Sequence, residues 1–243
     1  MGKLTIVGIG PGNYDNMTIA ADRALRESQL IVGYTVYVDL VQERYPGKEL
    51  LSTPMTREAI RCQLALDKAK EGKSVAMICS GDSGIYGMAA LLYELRGEST
   101  DPEIEVIPGL TAACSGGALL GAPLTHDFAV ISLSDRLTPW EKIEKRLECA
   151  AQGDLSIVLY NPRSKGRPDN LRMACDILLR YLPGDRPCGV AHSIGREGEW
   201  AEYMTLSELR TADVDMFCTV FIGNAMTKMV AGKLVTPRGY RDV

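Results

Sequence analysis

The sequence contains no long uniform stretch of any kind. Its 243 residues include no run of like charges, no low-complexity segment and no apolar run of membrane-spanning length. The formal net charge of −4 excludes a global basic field that would attract nucleic acid. The first apolar run, residues 4–9, is too short for a signal peptide. We therefore expect a cytoplasmic protein that binds neither nucleic acid nor membrane.

Histidines and closely paired cysteines are scarce. The two histidines, His126 and His192, lie at ligand spacing neither with each other nor with a cysteine, so we expect no protein-held metal. The seven cysteines are odd in number and form no CxxC pair, which favours reduced thiols over a disulfide framework. Most of them stand in apolar segments, where free cysteine is a small core residue.

Two glycine-containing stretches come close to phosphate-binding motifs and fail them. GIGPG at residues 8–12 follows a strand pattern, but a dinucleotide fingerprint needs glycine at Asn13, and Pro11 offers no N–H to a phosphate. GKS at 72–74 precedes a strand, and Asp67 stands where a P-loop has its first glycine. Nicotinamide and P-loop functions are therefore disfavoured. A plain tight turn remains an alternative for 8–12.

Strand and helix patterns alternate in the first half, which predicts βαβ units and a mainly parallel sheet. The predicted strands are 4–9, 30–32, 75–79 and 104–107, and the predicted helices are 17–28, 35–44, 56–71, 84–97 and 111–120. GAP at 121–123 is typical of a linker, and the pattern then restarts. We predict two α/β domains, residues 1–121 with a parallel sheet and residues 122–243 with a mixed sheet.

The second half has strand patterns that follow one another without a helix between them, which is why its sheet is predicted to be mixed. The predicted strands are 128–133, 155–160, 188–192, 200–204 and 217–222, with a helix over 168–181. TPWE at 138–141 and TLSE at 205–208 match the capping box, so each predicts the start of a helix.

The clearest candidate site follows the buried strand pattern at 75–79, where the chain continues as SGDSG. In open α/β sheets, ligands bind outside the carboxyl ends of the strands. Gly81 and Gly84 let the backbone approach a ligand closely, and Asp82 offers a charged acceptor. Alternatively, Asp82 simply caps a strand-to-helix turn. The stretch by itself leaves both interpretations open.

Polar residues also follow two strand patterns of the second half. SLSDR at 132–136 gathers hydroxyls, a carboxylate and a guanidinium, with capping and solvation as the alternative. NPRSKGR at 161–167 places three cations within five residues, which fits an anionic ligand. A solvated basic loop is the alternative. Histidine side chains are common acid–base groups in catalysis, so His126 and His192 are candidates for that role, with structural hydrogen bonding as the alternative.

Taken together, the motifs resemble the tetrapyrrole methylases. GIGPG at 8–12, SGDSGIYG at 80–87, PGLTAA at 108–113 and FIGN at 221–224 are similar to the family as a whole. HDFAVISLSDRLTPWEKIEKRL at 126–147, YNPRSKGR at 160–167 and TPRGY at 236–240 resemble the branch that methylates C17 and contracts the ring in corrin synthesis. The resemblance covers the whole chain. His192-Ser193 departs from the Arg-Asn-like pair expected there.

The resemblance implies two α/β domains with the active site in the cleft between them, and a homodimer. It implies S-adenosylmethionine as methyl donor and a precorrin-3-level tetrapyrrole as substrate, with cobalt only as part of that substrate. The implied donor-binding residues are Pro11, Gly81, Asp82, Ile85, Thr111, Ala112, Asn161, Thr219, Ile222 and Gly223. The implied substrate-binding residues are Gly10, Arg136, Arg163, Lys165 and Arg167.

Ring contraction needs proton movements, and the candidates for them are Asp135, Ser132 and His126. The methyl transfer itself needs positioning more than a base, because the macrocycle carbon is the nucleophile. Two alternatives remain beside the C17 methylase. One is a methylase of the same fold that acts at another carbon, and the other is a non-catalytic tetrapyrrole-binding protein that does not need a donor site.

Overall fold

A five-stranded parallel sheet organises the first half of the chain. The computed structural model describes residues 2–240. The strands are β1 (Lys3–Gly8), β2 (Leu30–Tyr34), β3 (Glu49–Thr53), β4 (Ser74–Cys79) and β5 (Glu103–Ile107), and the helices are α1 (Ile19–Glu27), α2 (Thr35–Val41), α3 (Glu58–Lys70) and α4 (Ala89–Arg96). The sheet order is β3-β2-β4-β1-β5, and every pairing is parallel. The predicted α/β class and parallel first sheet are confirmed.

The central strands of this sheet are apolar at nearly every position because helices cover both faces. In β1 and β4, all but the first residue are buried. The side chains of successive residues point to opposite faces, so Leu4 and Ile6 join one core cluster, while Val7 joins the other. A strand buried on both faces shows no alternation, which is typical of parallel sheets.

The structure corrects the predicted elements of the first half in two places. β3 was not predicted, because only Leu50 and Leu51 are apolar in a strand that lies at the edge of the sheet. The helix predicted over 84–97 begins only at Ala89. Residues 84–88 form a loop instead, in which Tyr86 has a φ of 55°.

The second half contains a mixed five-stranded sheet, as predicted. Its order is β10-β9-β11-β8-β7. The strands are β7 (Phe128–Ser132), β8 (Ser156–Tyr160), β9 (Pro187–His192), β10 (Trp200–Thr205) and β11 (Cys218–Ile222), and the helices are α5 (Ala112–Leu120), α6 (Trp140–Gln152), α7 (Asn170–Leu178) and α8 (Leu206–Leu209). β7 and β8 are parallel, whereas β11 runs antiparallel to β8 and β9.

Only one of the two predicted capping boxes forms. At α8, Thr205 Oγ1 accepts from the Glu208 N–H at 3.3 Å, and Glu208 Oε2 accepts from the Thr205 N–H at 2.8 Å. The latter hydrogen bond lowers the pKa of Glu208. Helix α6 instead has Pro139 at its N-cap, without a side-chain capping bond. The capping box predicted at 138–141 is therefore wrong, although its helix exists.

The segment predicted as a linker is part of a small third sheet. β6 (Gly121–Ala122) pairs in parallel with β13 (Lys233–Val235), which pairs antiparallel with β12 (Lys228–Val230). Thr236 then donates its N–H to Ala122 O at 3.0 Å and its hydroxyl to Pro123 O at 2.7 Å. Sequence analysis missed β12 and β13 because each is only three residues long.

The chain divides into two compact units between Ala112 and Ala113, so that α5 belongs to the second. The predicted boundary between residues 121 and 122 lies at the other end of α5 and stays a prediction. Within residues 2–240, no helix combines the length and the apolarity needed to cross a bilayer. Five of the seven cysteines are buried, which is the core location expected for them, and all seven are free thiols.

Candidate functional site

Three loops follow neighbouring strands at the carboxyl edge of the first sheet. They come after β4, β1 and β5, which lie side by side. Gly10 and Gly81 form an isolated antiparallel bridge, in which the Gly10 N–H donates to Gly81 O at 3.1 Å and the Gly81 N–H donates to Gly10 O at 2.7 Å. Both have positive φ, 77° and 69°, a conformation that glycine adopts without strain.

The third loop touches the other two through Gly109. A Cβ built on Gly109 would lie 2.2 Å from Gly81 O and 2.6 Å from Gly8 O. A Cβ on Gly8 would lie 2.6 Å from Gly109 N. Only glycine fits at these two positions. The three loops therefore meet backbone to backbone and present peptide groups, with few side chains, at the edge of the sheet.

Asp82 fixes this arrangement. Its Oδ1 accepts from the N–H groups of Gly84 at 2.7 Å and Ile85 at 3.1 Å, and its Oδ2 accepts from the Gly109 N–H at 2.9 Å. A carboxylate has about four acceptor positions, so one is left for a ligand. Asp82 therefore caps the turn, as one interpretation predicted, and uses three of its acceptor positions on backbone N–H groups. The remaining acceptor position is compatible with the ligand interpretation.

The other residues predicted for donor binding in this unit lie at the same edge. Pro11 and Thr111 are buried, and Ala112 is the first residue of α5. Ile85 is 41% exposed, in the loop that the Asp82 carboxylate orders. A donor such as S-adenosylmethionine carries no phosphate, so a rim of peptide groups with a buried proline fits it.

The carboxyl edge of the second sheet carries side chains instead. β7, β8 and β9 run in the same direction, so Ser132, Asn161 and His192 come at the same edge. Asn161 has a φ of 55°, and its Nδ2 donates to Ser132 Oγ at 3.0 Å. The Ser134 N–H also donates to Ser132 Oγ, at 3.2 Å. Two predicted residues from different motifs, Ser132 and Asn161, are therefore in contact.

The basic loop after β8 is partly neutralised by the chain itself. Arg167 donates to the hydroxyls of Ser134 and Ser164 and lies 3.7 Å from Asp135 Oδ1. Arg163 pairs with Asp213 at 2.8 Å. Arg136 and Lys165 are exposed, and neither has an ion-pair partner within the part of the chain that the structure describes. The predicted cations thus divide into two that are positioned by carboxylates and two that are available to a ligand.

The structure does not bring all predicted residues together. His126 precedes β7, at the opposite end of the strand from Ser132, roughly 20 Å away at about 3.3 Å per residue. Its Nδ1 lies 3.4 Å from Asp127 Oδ2. Its predicted role with Ser132 and Asp135 stays a prediction that this placement does not favour.

Residues of β11 are similarly divided between the two edges. Thr219 pairs with Ala191, near the edge that carries Asn161. Ile222 pairs with Ile157 and Cys188 at the other edge, and the Gly223 N–H donates to Pro187 O at 3.0 Å. A Cβ on Gly223 would lie 2.4 Å from the Thr227 Cβ. Gly223 is therefore required by packing, and its donor-binding role stays a prediction.

Sequence reasoning missed Tyr160 as a functional candidate. Its hydroxyl accepts from the Ala113 N–H at 2.8 Å, so it contacts the first turn of α5 next to Ala112. It also missed Asn170, which is buried and donates to Leu133 O at 2.6 Å. A tyrosine at the last position of the otherwise apolar strand pattern 156–160, directly before Asn161, is the sequence signal that points to Tyr160.

The thiol at the end of β4 is not a reactive group. Burial raises the pKa of Cys79 to about 11. It therefore stays protonated at neutral pH and acts as a core residue. The same cause raises the pKa of Cys62 on α3 to about 12. Neither thiol is therefore a nucleophile at neutral pH, and the polar groups available at this edge are the peptide groups and Asp82.

Comparison with known proteins supplies the family. A model of the family described as Tetrapyrrole (Corrin/Porphyrin) Methylases matches residues 3–210. A "Probable cobalt-factor III C(17)-methyltransferase" from Salmonella typhimurium is 45% identical over 98% of this chain and 99% of its own length. A "Cobalt-factor III methyltransferase" from Priestia megaterium is 44% identical over 99% of this chain, which spans only 45% of that longer protein.

A solved structure matches the whole fold. The crystal structure of the methyltransferase CobJ superposes with a TM-score of 0.91 at 38% identity, covering 98% of this chain and 100% of that one. The two-domain α/β fold and the family that the motifs indicated are confirmed by these matches.

Proposed function

We propose that the chain, which belongs to the tetrapyrrole (corrin/porphyrin) methylase family, transfers a methyl group from S-adenosylmethionine to C17 of a precorrin-3-level macrocycle in cobalamin biosynthesis, with contraction of the ring. The observation that carries this proposal is the match to the Salmonella relative. The match covers 98% of this chain and 99% of the relative, which is named a probable cobalt-factor III C(17)-methyltransferase. The names of the relatives favour cobalt-factor III over metal-free precorrin-3B. The cobalt then belongs to the substrate.

The first unit supplies the donor site in this proposal. The resemblance to the tetrapyrrole methylases implies S-adenosylmethionine as the methyl donor, and its cationic sulfonium suits a site that offers the carboxylate of Asp82. The peptide groups around Gly81 and Thr111 have a fixed shape, which positions the methyl carbon without a reactive side chain. Asn161 and Thr219, at one edge of the second sheet, are proposed as donor-binding residues on the resemblance to the family.

The second unit supplies the cations for the macrocycle. A precorrin carries several acetate and propionate arms, and guanidinium groups bind carboxylates through two parallel hydrogen bonds. Arg136 and Lys165 are exposed without an ion-pair partner in residues 2–240, and Arg163 exchanges Asp213 for a substrate carboxylate. Arg167 is positioned by two hydroxyls and Asp135. Gly10 remains the proposed contact on the first unit.

The chemistry that these groups have to support is limited. The macrocycle carbon attacks the S-methyl carbon, the new C–C bond forms as the S–C bond breaks, and S-adenosylhomocysteine leaves with the electron pair. This step needs alignment, and no side chain has to take a proton. Ring contraction does move protons. Asp135 and Ser132 are the proposed groups for it, because both lie at the edge that carries Asn161 and Arg167.

The test is an anaerobic incubation of the purified protein with methyl-deuterated S-adenosylmethionine and, separately, cobalt-factor III and precorrin-3B. We expect one labelled methyl group, detected by mass spectrometry, and a ring-contracted optical spectrum on cobalt-factor III. Methylation of precorrin-3B alone would assign the chain to the cobalt-free route. Absence of methylation on both, with the donor bound in calorimetry, would contradict the proposed substrate.

We also propose a cytoplasmic homodimer. Seven free thiols, five of them buried, fit a reducing compartment. Light scattering of the purified protein at several concentrations tests the assembly, and a mass of one chain at all of them would contradict it.

A further inference from the structure

His192, Asp215 and Cys218 cluster at the carboxyl edge of β9, and the proposed function does not use them. One ligand atom from each of the three lies within 4.8 Å of the other two. His192 and Cys218 are directly paired in the antiparallel ladder of β9 and β11, so their side chains are on the same face of the sheet. Asp215 returns to them from the turn before β11.

His192 and Cys218 each lie at a ligand-like distance from one oxygen of the Asp215 carboxylate. His192 Nε2 lies 3.3 Å from Asp215 Oδ2, and Cys218 Sγ lies 3.5 Å from Asp215 Oδ1. Zinc bonds of about 2.1 Å to nitrogen and oxygen and about 2.3 Å to sulfur imply N···O and S···O separations of about 3.4 and 3.6 Å in a tetrahedron. One atom from each residue lies within 4.8 Å of the other two, so a rotation of the Asp215 carboxylate that brings one oxygen toward both partners is the movement that binding requires.

We propose that His192, Asp215 and Cys218 form a binding site for a divalent transition-metal ion of the zinc class, with the fourth coordination position open to water. Imidazole nitrogen, carboxylate oxygen and thiolate sulfur are the donors that zinc takes in proteins. On binding, the ion replaces the proton of the Cys218 thiol, which is released to solvent, and the S–H···O hydrogen bond to Asp215 becomes two metal bonds. The two anionic ligands then balance the charge of the ion.

Aromatic rings hold the histidine in position. Trp200 stacks on the His192 ring at 5.2 Å between centroids and 13° between planes, and Phe217 packs edge-on at 6.5 Å. The side chain of His192 is 21% exposed and that of Asp215 is 54% exposed, so an ion reaches the cluster from solvent. His192 Nδ1 is buried without a hydrogen-bond partner. Ligating histidines usually have such a partner, so we expect weaker binding than in a closed four-ligand site.

His192 stands where the resemblance to the C17-methylating branch leads us to expect an arginine, which does not ligate metals. The proposal therefore departs from the expectation of no protein-held metal, which rested on sequence spacing alone. The ladder pairing of β9 with β11 brings together residues that are 26 positions apart.

The alternative is a turn that its own hydrogen bonds stabilise. The Phe217 N–H donates to Asp215 Oδ1 at 2.8 Å, and the Asp215 N–H donates to Cys218 Sγ at 3.4 Å. These bonds close the turn without an ion, and a metal-binding measurement on the metal-free protein separates the two.

The experiment titrates the intact, metal-free chain with Co²⁺ as an optical probe and with Zn²⁺ as competitor. We expect one equivalent of Co²⁺ with a thiolate-to-cobalt charge-transfer band in the near ultraviolet, which Zn²⁺ abolishes. Cys218→Ser should remove the band and weaken Zn²⁺ binding by more than about tenfold, since loss of even an outer-shell partner costs about 10–100-fold in metal affinity. His192→Gln should weaken binding similarly while its thiolate band persists at saturating Co²⁺.

Matched variants decide between this site and adventitious binding. Cys149→Ser removes an exposed thiol of α6, and His126→Gln removes the other histidine and its Asp127 pair. Both should bind Co²⁺ as the unaltered chain does. Absence of the charge-transfer band, or its survival in Cys218→Ser, would overturn the proposal. Because His192 is partly exposed, His192→Gln tests the site even if Cys218→Ser fails to fold, and unchanged Zn²⁺ affinity in it would equally overturn the proposal.

Discussion

The carboxyl edges of the two sheets are built from different parts of the chain. At the first edge, Gly8, Gly81 and Gly109 bring three loops together through their backbones, and a single carboxylate fixes them. At the second edge, hydroxyl, amide and guanidinium side chains contact one another, as Ser132 does with Asn161. We call the first edge, at Gly8, Gly81 and Gly109, the backbone rim, and the second edge, at Ser132, Asn161 and Arg167, the side-chain rim. The backbone rim has a fixed shape and little charge, whereas side chains of the second rim are able to move and to change ion-pair partners. The first suits an invariant donor, and the second suits a substrate with many carboxylate arms.

Gly109→Ala is the strongest way to break the backbone rim. The added Cβ falls 2.2 Å from Gly81 O, so the loops after β4 and β5 have to separate. We expect the methyl-transfer rate to fall about a hundredfold, since a displacement near 1 Å costs that much, and the free energy of unfolding to fall by about 1–3 kcal/mol. Gly166→Ala is the control, because its Cβ meets nothing within 4 Å. Unchanged donor affinity in Gly109→Ala, measured by calorimetry, would contradict the rim's role.

Asp82→Asn sharpens the same comparison with a smaller change. The amide has one acceptor oxygen, so it cannot accept from Ile85 and Gly84 on one side and from Gly109 on the other. Losing a hydrogen bond to a charged group costs about 1.5–3 kcal/mol, so we expect donor affinity to fall about tenfold or more. Asp82→Ala loses all three bonds and should bind the donor more weakly still. Equal, unaltered calorimetric affinities in both variants would exclude Asp82 from the donor site.

The side-chain rim should respond more weakly and only toward the substrate. Arg163 is exposed and paired with Asp213, and exposed ion pairs contribute about 0.2–1 kcal/mol. We expect Arg163→Ala or Lys165→Ala to raise KM for the macrocycle about two- to fivefold and to leave KM for the donor unchanged. Asp213→Asn releases Arg163 and should lower KM for the macrocycle or leave it as it is. Parallel losses for both ligands would indicate misfolding.

The smallest expected effect concerns acid stability. The Arg26 guanidinium lowers the pKa of Asp22, burial opposes this, and the hydroxyl of Tyr45 lowers it further. Because the folded pKa is lowered, the stabilisation is complete above the unfolded value of about 3.9 and is lost as the pH falls through the folded value. The difference in free energy of unfolding between the unaltered chain and Asp22→Asn, measured by urea unfolding, should decrease as the pH falls below about 5. Glu208→Gln in the second unit, at an exposed helix cap, should change the free energy of unfolding by a smaller amount. A difference for Asp22→Asn that does not vary with pH would contradict the lowered pKa of Asp22.

Buried strands and helices of this fold are predictable from apolar runs in the sequence. The direction of each strand, and therefore the sheet edge at which its last residue lies, is not. Apolar runs identify β1 and β4 and their covering helices because both faces are buried. The same runs do not tell which way a strand points. β11 runs antiparallel to β8, so Ile222 comes at the opposite edge from Asn161, although both follow or end a predicted strand. His126 is separated from Ser132 for a related reason, since the two residues flank opposite ends of β7.

A local turn explains the misplaced start of the helix predicted over 84–97. Apolar residues at 85–95 favour a helix, but Asp82 holds the Gly84 and Ile85 N–H groups in a local turn and Tyr86 has a φ of 55°, so the helix begins only at Ala89. The motifs that indicated the family span these non-helical turns. Similarity to known motifs therefore located the glycine loops that periodicity alone misassigned, whereas the cluster around Asp215 has no motif and is visible only in the fold.

The pairing of β6 with β13 has a consequence for the order of events during translation. Every strand of the first sheet has been made once residue 107 leaves the ribosome, so that half is able to fold while synthesis continues. Gly121 and Ala122 pair with residues 234–236, which are synthesised more than a hundred codons later. The small third sheet therefore forms only after residues 233–236 have been made, and the second half lacks it through most of its synthesis.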